Sequence, residues 1–169
     1  MYDILDTKKT TELNLLRKGW FSAEYELTDN TYCYGKLCYN GLYRRTATAE
    51  SATGSWTFKP DGLFNRTISI IDQNGILIGK STSDWFIRRR LLSLHNGFQA
   101  EFYRSLFLPR EYTWESVTDG KIMRIKSLPL NLKDTIYIDL AMVPPAIKLL
   151  LIFLGAHLTI LNRRRSATH

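Results

Sequence analysis

The chain has 169 residues and a formal charge of +7, with 44 % hydrophobic and 12 % aromatic residues. That length fits one domain with a substantial core, and the composition excludes a disordered chain. The two cysteines, Cys33 and Cys38, match no metal-ligand spacing and read as free thiols in a reducing compartment, and the N-terminus shows no signal-peptide pattern.

Residues 1–16 start polar and then carry Leu13, Leu15 and Leu16, which suits a short helix or a lead-in segment. From Gly19 the character changes. Trp20, Phe21, Tyr25 and Leu27 form a strand-like run that stops at Asp29-Asn30. Residues 32–39 follow and end at Asn40-Gly41, a favoured hairpin turn because both residues tolerate positive φ. Residues 42–50 and 55–59 are separated by Gly54, and Pro60-Asp61-Gly62 supplies turn chemistry after them. Residues 66–71 and 76–80 flank Asp72-Gln73-Asn74-Gly75 and predict the clearest hairpin in the chain. Residues 85–95, WFIRRRLLSLH, fit either an amphipathic helix capped by Ser83 or Asp84, or a strand. The Asn96-Gly97 turn, with Phe98, Ala100 and Phe102 alternating after it, favours a hairpin. Residues 112–118 and 121–126 flank Asp119-Gly120, and residues 135–140 are a last strand.

The sequence MVPPAIKLLLIFLGAHLTIL is the only long apolar run, and it predicts a helix over about 142–162. Pro144 and Pro145 suit its start, and Arg163, Arg164 and Arg165 suit the negative end of its dipole. Apolar on every face, it must be buried in a protein core or in lipid. Lys148 lies near its start and can snorkel to an interface, whereas His157 lies deep and needs a partner. A tail-anchored membrane span behind a cytoplasmic β domain fits the length and the trailing arginines. The strands favour the other reading. Tight turns imply antiparallel pairing, and many twisted strands must close or split. A barrel wider than about eight strands has an interior too large for its own side chains, and a helix about 10–12 Å across can fill it. The expected fold is therefore mainly β. It is a closed antiparallel barrel of about 10–12 strands enclosing the hydrophobic C-terminal helix, as a single domain over residues 1–169.

This order of elements resembles a known family. The features that carry the likeness are the turns Asp72-Gln73-Asn74-Gly75 and Asp119-Gly120, the strand Tyr137-Ile138-Asp139 and the helix from Ala146 to Leu161. They resemble the tubby C-terminal domain and its relatives, the LURP-one-related proteins and the phospholipid scramblases. The likeness spans residues 17–165 and is one of pattern, with no short motif shared, so no functional residue is carried over. It implies a twelve-stranded barrel around a C-terminal helix, with anionic lipid head groups as ligand. Two departures stand out: fewer than twelve strands can be counted, and three arginines follow the helix directly. Calcium binding, an activity of some scramblases, finds no counterpart, because Asp72-Gln73-Asn74-Gly75 lacks the distal Glu of a calcium loop.

No Walker loop, dinucleotide glycine pattern, HExxH or nucleophile elbow occurs. His95 reads as an exposed turn residue, His157 as a hydrogen-bonded core histidine and His169 as a frayed end. Nothing in the spacing demands that His95 and Cys33 act as base and nucleophile. Asp61, Asp72, Asp84, Asp119, Asp134 and Asp139 fall mostly in predicted turns, where Asp serves local hydrogen bonding. Trp20, Trp56, Trp85 and Trp114 read as core or wall residues. No catalytic residue, metal site or cofactor is expected.

The positive charge is clustered at Arg44-Arg45, Arg88-Arg89-Arg90 and Arg163-Arg164-Arg165. The plain reading of each cluster is solvated surface. The sharper reading is an anionic-lipid interface formed by Trp85, Arg88, Arg89, Arg90, Arg163, Arg164 and Arg165, although a strand would send alternate arginines to opposite faces. The function expected is that of a non-enzymatic barrel, cytoplasmic and peripheral to a membrane, binding anionic phospholipid or a protein partner. The alternative is a protein anchored through its C-terminal helix. Nucleic acid is not expected, because the clusters lie far apart in sequence and no recognition motif surrounds them.

Overall fold

The structure, a computed structural model, describes residues 1–19, 23–40, 44–62, 66–83, 89–128, 133–139 and 142–167. Twelve strands among them run up and down in chain order. They are β1 (Glu12–Arg17), β2 (Glu24–Thr28), β3 (Cys33–Asn40), β4 (Thr46–Ser51), β5 (Gly54–Asp61), β6 (Thr67–Asp72), β7 (Leu77–Ser83), β8 (Arg89–Leu94), β9 (Gln99–Arg104), β10 (Glu111–Ser116), β11 (Gly120–Ser127) and β12 (Lys133–Ile138). Each pairs antiparallel with its neighbours, and β1 pairs with β12 to close the barrel. One helix follows, α1 (Pro145–Ser166).

The turns form where local chemistry supports them. Asp72 Oδ1 accepts from the backbone N–H of Asn74 and Ile76, both at 2.9 Å, and Gly75 takes the left-handed conformation that ends the loop. Asp29 Oδ1 accepts from Thr31 and Tyr32, and Asn96 Oδ1 from Phe98. Pro60 lies inside β5 and not in a turn after it. It sits beyond the last β4 pairing, Ala47 with Phe58, so its missing N–H costs no ladder bond on that side.

The first segment is also a strand and not a helix. Leu13 and Leu15 both point into the core at the two-residue spacing of a strand, and β1 bonds to β2 and β12 on either side. Helix-forming residues are overridden here by the pairing that removes both open edges. Residues 89–94 of the ambiguous WFIRRRLLSLH segment are likewise strand. Of the tryptophans, Trp114 is fully buried and Trp56 packs against the core. Trp20, Trp85, Asp84 and His169 lie outside the described residues, as does Gly41 of the first expected hairpin turn.

The helix fills the barrel. Phe153 meets Trp56 on β5 at 6.3 Å between rings, and His157 stacks on Phe58 of β5 at 5.6 Å. Gly155 lies against Trp114 on β10 and Ile125 on β11, on the far side of the strand order. Residues from Lys148 to Leu161 are all buried. That run is about 21 Å long at about 1.5 Å per residue, close to the span of a six-residue strand. The wall makes room by alternating sizes: Ala47 and Ala49 on β4 sit beside Phe58 and Trp56 on β5, and Gly79 and Ser81 on β7 beside Leu94 and Leu92 on β8. The helix starts three residues later and ends four later than the 142–162 expected, so the three arginines form its last turn. It is long and apolar enough to cross a membrane, but 78 % of its most hydrophobic window is buried in the barrel.

Candidate functional site

Because the strands alternate in direction, every second connection shares one mouth of the barrel. α1 enters at the end where β12 finishes, and Lys148 Nζ reaches back to the carbonyl of Asp139 there at 3.5 Å. The turn acids Asp29, Asp72 and Asp119 belong to this same end. The C-terminus of α1 leaves at the opposite mouth, where odd strands end and even strands begin.

That exit mouth gathers arginines from distant parts of the chain. A depression of about 470 Å³ is lined by Arg89 and Arg90 from β8, Arg104 from β9 and Arg165 from α1. A second joins Arg104, Arg110, Leu128 and Arg163. A third joins Arg17, Arg44, Arg163 and Arg164. Among the described residues lining all three there is no Asp or Glu. Acids do occur at this end: Glu101 pairs with Arg89 at 2.6 Å, Asp134 with Arg163 at 2.6 Å and Asp61 with Lys80 at 3.7 Å, and Glu24 and Glu111 begin β2 and β10.

The seven residues expected to form the lipid interface separate into roles. Trp85 and Arg88 lie outside the described residues. Arg89 points outward from the wall, bonded to Glu101 and lying 4.9 Å over the Tyr103 ring. Arg90 points inward and is buried; it donates to Ser81 Oγ, the Ser81 carbonyl and the Arg66 carbonyl. Burial, helped by the charge of Arg165, lowers its pKa to about 10. Arg163 is anchored structurally: its Nη1 donates to Ser127 Oγ at 2.8 Å and to Asp134 Oδ1 at 2.6 Å, tying the helix end to the seam between β11 and β12. Arg164 donates to the Arg44 carbonyl at 2.6 Å and lies 4.3 Å over Tyr39. Arg165 is exposed in the mouth.

The mouth also contains arginines outside that expected set: Arg17, Arg44, Arg104 and Arg110. Two of them carry strain. Arg44 and Arg110 have φ of 47° and 62°, a left-handed backbone that disfavours any residue with a Cβ. The signal that could have found these residues is strand parity, because each lies at the end of an odd strand or just after it. The sequence distance between clusters, which argued against nucleic acid, is no guide to their separation in space.

Beneath the mouth, the arginine charges act on the core. Tyr39 Oη lies 2.9 Å from His157 Nδ1. His157 is fully buried, and Nε2 has no hydrogen-bond partner. Burial first, then the charges of Arg90 and Arg164, lower its pKa to about 3, so the ring is neutral. Burial also pushes the Tyr39 phenol up. Cys33 and Cys38 are half-buried free thiols, and His95 is an exposed residue beside its turn. Among the described residues no three of His, Cys, Asp and Glu gather as metal ligands.

Fold and site together define a helix-filled, twelve-stranded barrel with one arginine-lined mouth. No protein-family model matches the sequence, and no curated protein or solved structure is similar enough to match it.

Proposed function

We propose that this chain is a non-enzymatic barrel that attaches to anionic phospholipid surfaces through the mouth where its helix emerges. The observation that supports this most directly is the convergence of three sequence-distant arginine clusters on one end, around the last turn of α1. A bilayer is a flat, extended anion, and a ring of cations around a barrel mouth meets it without needing a deep cleft. The protein would then be cytoplasmic and peripheral to the membrane, with its apolar helix used as core. The resemblance to the tubby, LURP-one-related and scramblase proteins belongs to this proposal and rests on element order.

The magnitude is testable. Arg44, Arg104, Arg110 and Arg165 are exposed at the mouth. At about 1 kcal/mol for each cation near an anionic surface, they give roughly a thousandfold preference for charged over neutral vesicles. Vesicle co-sedimentation measures this, with phosphatidylcholine vesicles compared against the same vesicles containing phosphoinositide. Equal absence of binding to both, at every salt concentration, would overturn the proposal. Preference for an oligonucleotide over charged vesicles would reassign the mouth to nucleic acid.

A further inference from the structure

The connection between β9 and β10 stands at the same mouth and differs in kind from the arginines around it. Its sequence is Ser105-Leu106-Phe107-Leu108-Pro109-Arg110. Leu106 is 84 % exposed, Phe107 90 % and Leu108 51 %. Three consecutive large apolar side chains in water signal function when they occur on a folded surface. Single exposed apolar residues also occur at the opposite end, among them Ile76 and Val117, but these sit in turns beside Asp72 and Asp119. The 106–108 tip is flanked by Arg104 and Arg110.

The loop is built to hold the tip out. Ser105 N–H donates to the Glu111 carbonyl at 2.8 Å, and Ser105 Oγ accepts from Leu108 N–H at 3.1 Å. Arg110 takes a left-handed backbone, and its carbonyl accepts from Ser127 N–H at 2.9 Å. Hydrogen bonds and local strain thus fix the loop where its apolar side chains cannot reach the core. Arg110 itself places a cation at the base of the tip.

From this we infer that Leu106, Phe107 and Leu108 form a wedge that enters the hydrocarbon edge of an anionic bilayer, while Arg104 and Arg110 stay at head-group depth. The inference rests on the membrane-binding reading and adds a mechanism to it. Attachment has two parts, one electrostatic and screened by salt, the other apolar and indifferent to it. Basic flanks select a lipid surface over an apolar protein groove, because the charge lies where phosphates lie when the tip is immersed.

The test uses full-length protein and phosphatidylserine-containing vesicles, at low salt and at about 1 M, where the Debye length is about 3 Å. The parent chain should retain a bound fraction at high salt. The triple variant Leu106→Ser, Phe107→Ser, Leu108→Ser alters only exposed side chains. It should weaken by about a hundredfold at either salt, from the loss of immersed apolar area, so that the arginines still hold it at low salt and its bound fraction vanishes at high salt. Val117→Ser, at the opposite end, should change nothing. Phe107→Trp should add a fluorescence signal quenched by lipids brominated on their acyl chains, measured as the increment over the parent. If the triple variant binds like the parent at high salt, or the added tryptophan is not quenched, the wedge is wrong while the arginine mouth can stand. If charged vesicles bind the parent at neither salt, both fall. If the triple variant instead abolishes self-association of the parent, the tip is a contact between copies and the inference is overturned.

Discussion

Gly155 offers the sharpest test of where the helix lies. It sits in the middle of α1, where Gly costs about 1 kcal/mol relative to Ala. On an isolated helix, or one facing lipid, Gly155→Ala would therefore stabilise or do nothing. Inside this barrel the sign reverses. A Cβ at position 155 would lie 2.6 Å from Trp114 Nε1 and 2.6 Å from Ile125 Cδ1. The Ile125 methyl can rotate aside. The Trp114 indole is fully buried, with Phe102 packed 4.9 Å away between ring centres, and cannot. Overpacking of this kind costs about 1–3 kcal/mol, which exceeds or roughly cancels the propensity gain. The expected net is a loss of up to about 2 kcal/mol, or about 4–8 °C in Tm at the roughly 2–4 °C per kcal/mol typical of this size. Urea titration gives the free energy, and tryptophan emission, to which the buried Trp114 contributes, reports the local displacement. A variant about 1 kcal/mol more stable than the parent, with unchanged tryptophan emission, would refute the placement of α1 against β10 and β11.

Three further outcomes follow from the same geometry. His157 is neutral and buried with its pKa at about 3, below its ordinary value in an unfolded chain. Protons therefore bind the unfolded state first, and stability that is present above about pH 6.5 is lost as pH falls, by about 2 kcal/mol between pH 7 and 5. His157→Phe should flatten that part of the urea-midpoint profile, and an unchanged slope would count against the buried neutral ring. Arg163→Ala leaves Asp134, 2 % exposed in its side chain, without its cation, and should cost about 3–5 kcal/mol in urea unfolding. Arg104→Ala, at an exposed position, should stay within about 0.5 kcal/mol; equal costs would mean that Arg163 does not pin the helix end. Arg110→Gly relieves the left-handed backbone at φ 62° and should raise stability by up to about 1 kcal/mol while weakening binding to anionic vesicles. A stability loss together with stronger binding would contradict both roles given to that residue.

The hairpins were readable because their signals are local. Asp72 bonding to its own loop and Gly75 at positive φ are properties of a few adjacent residues, and period-two burial along Ile68 and Ile70 needs no knowledge of the partner strand. The helix was readable because no amphipathic face breaks its apolar run, which forces burial on all sides, and the widths of strand number and helix made the barrel its container. Residues 12–17 were not legible as a strand, because Glu, Leu and Arg favour helix until β2 and β12 offer edges that must be sealed. That Arg17, Arg44, Arg104 and Arg110 join Arg89, Arg90 and Arg165 at one mouth was not legible either, for a stricter reason. Which loops share an end depends on counting strand reversals, and residues 85–95 admitted a helix as well as the strand that the following turn favours. Had that segment been a helix, every later connection would have changed ends and Arg44 would have faced away from Arg165. Local chemistry in the sequence set the turns, the strands and the greasy core helix. Only closure of the sheet fixed the parity that brings the arginines and the Leu106–Leu108 tip to one side, because parity belongs to the whole chain and to no residue in it.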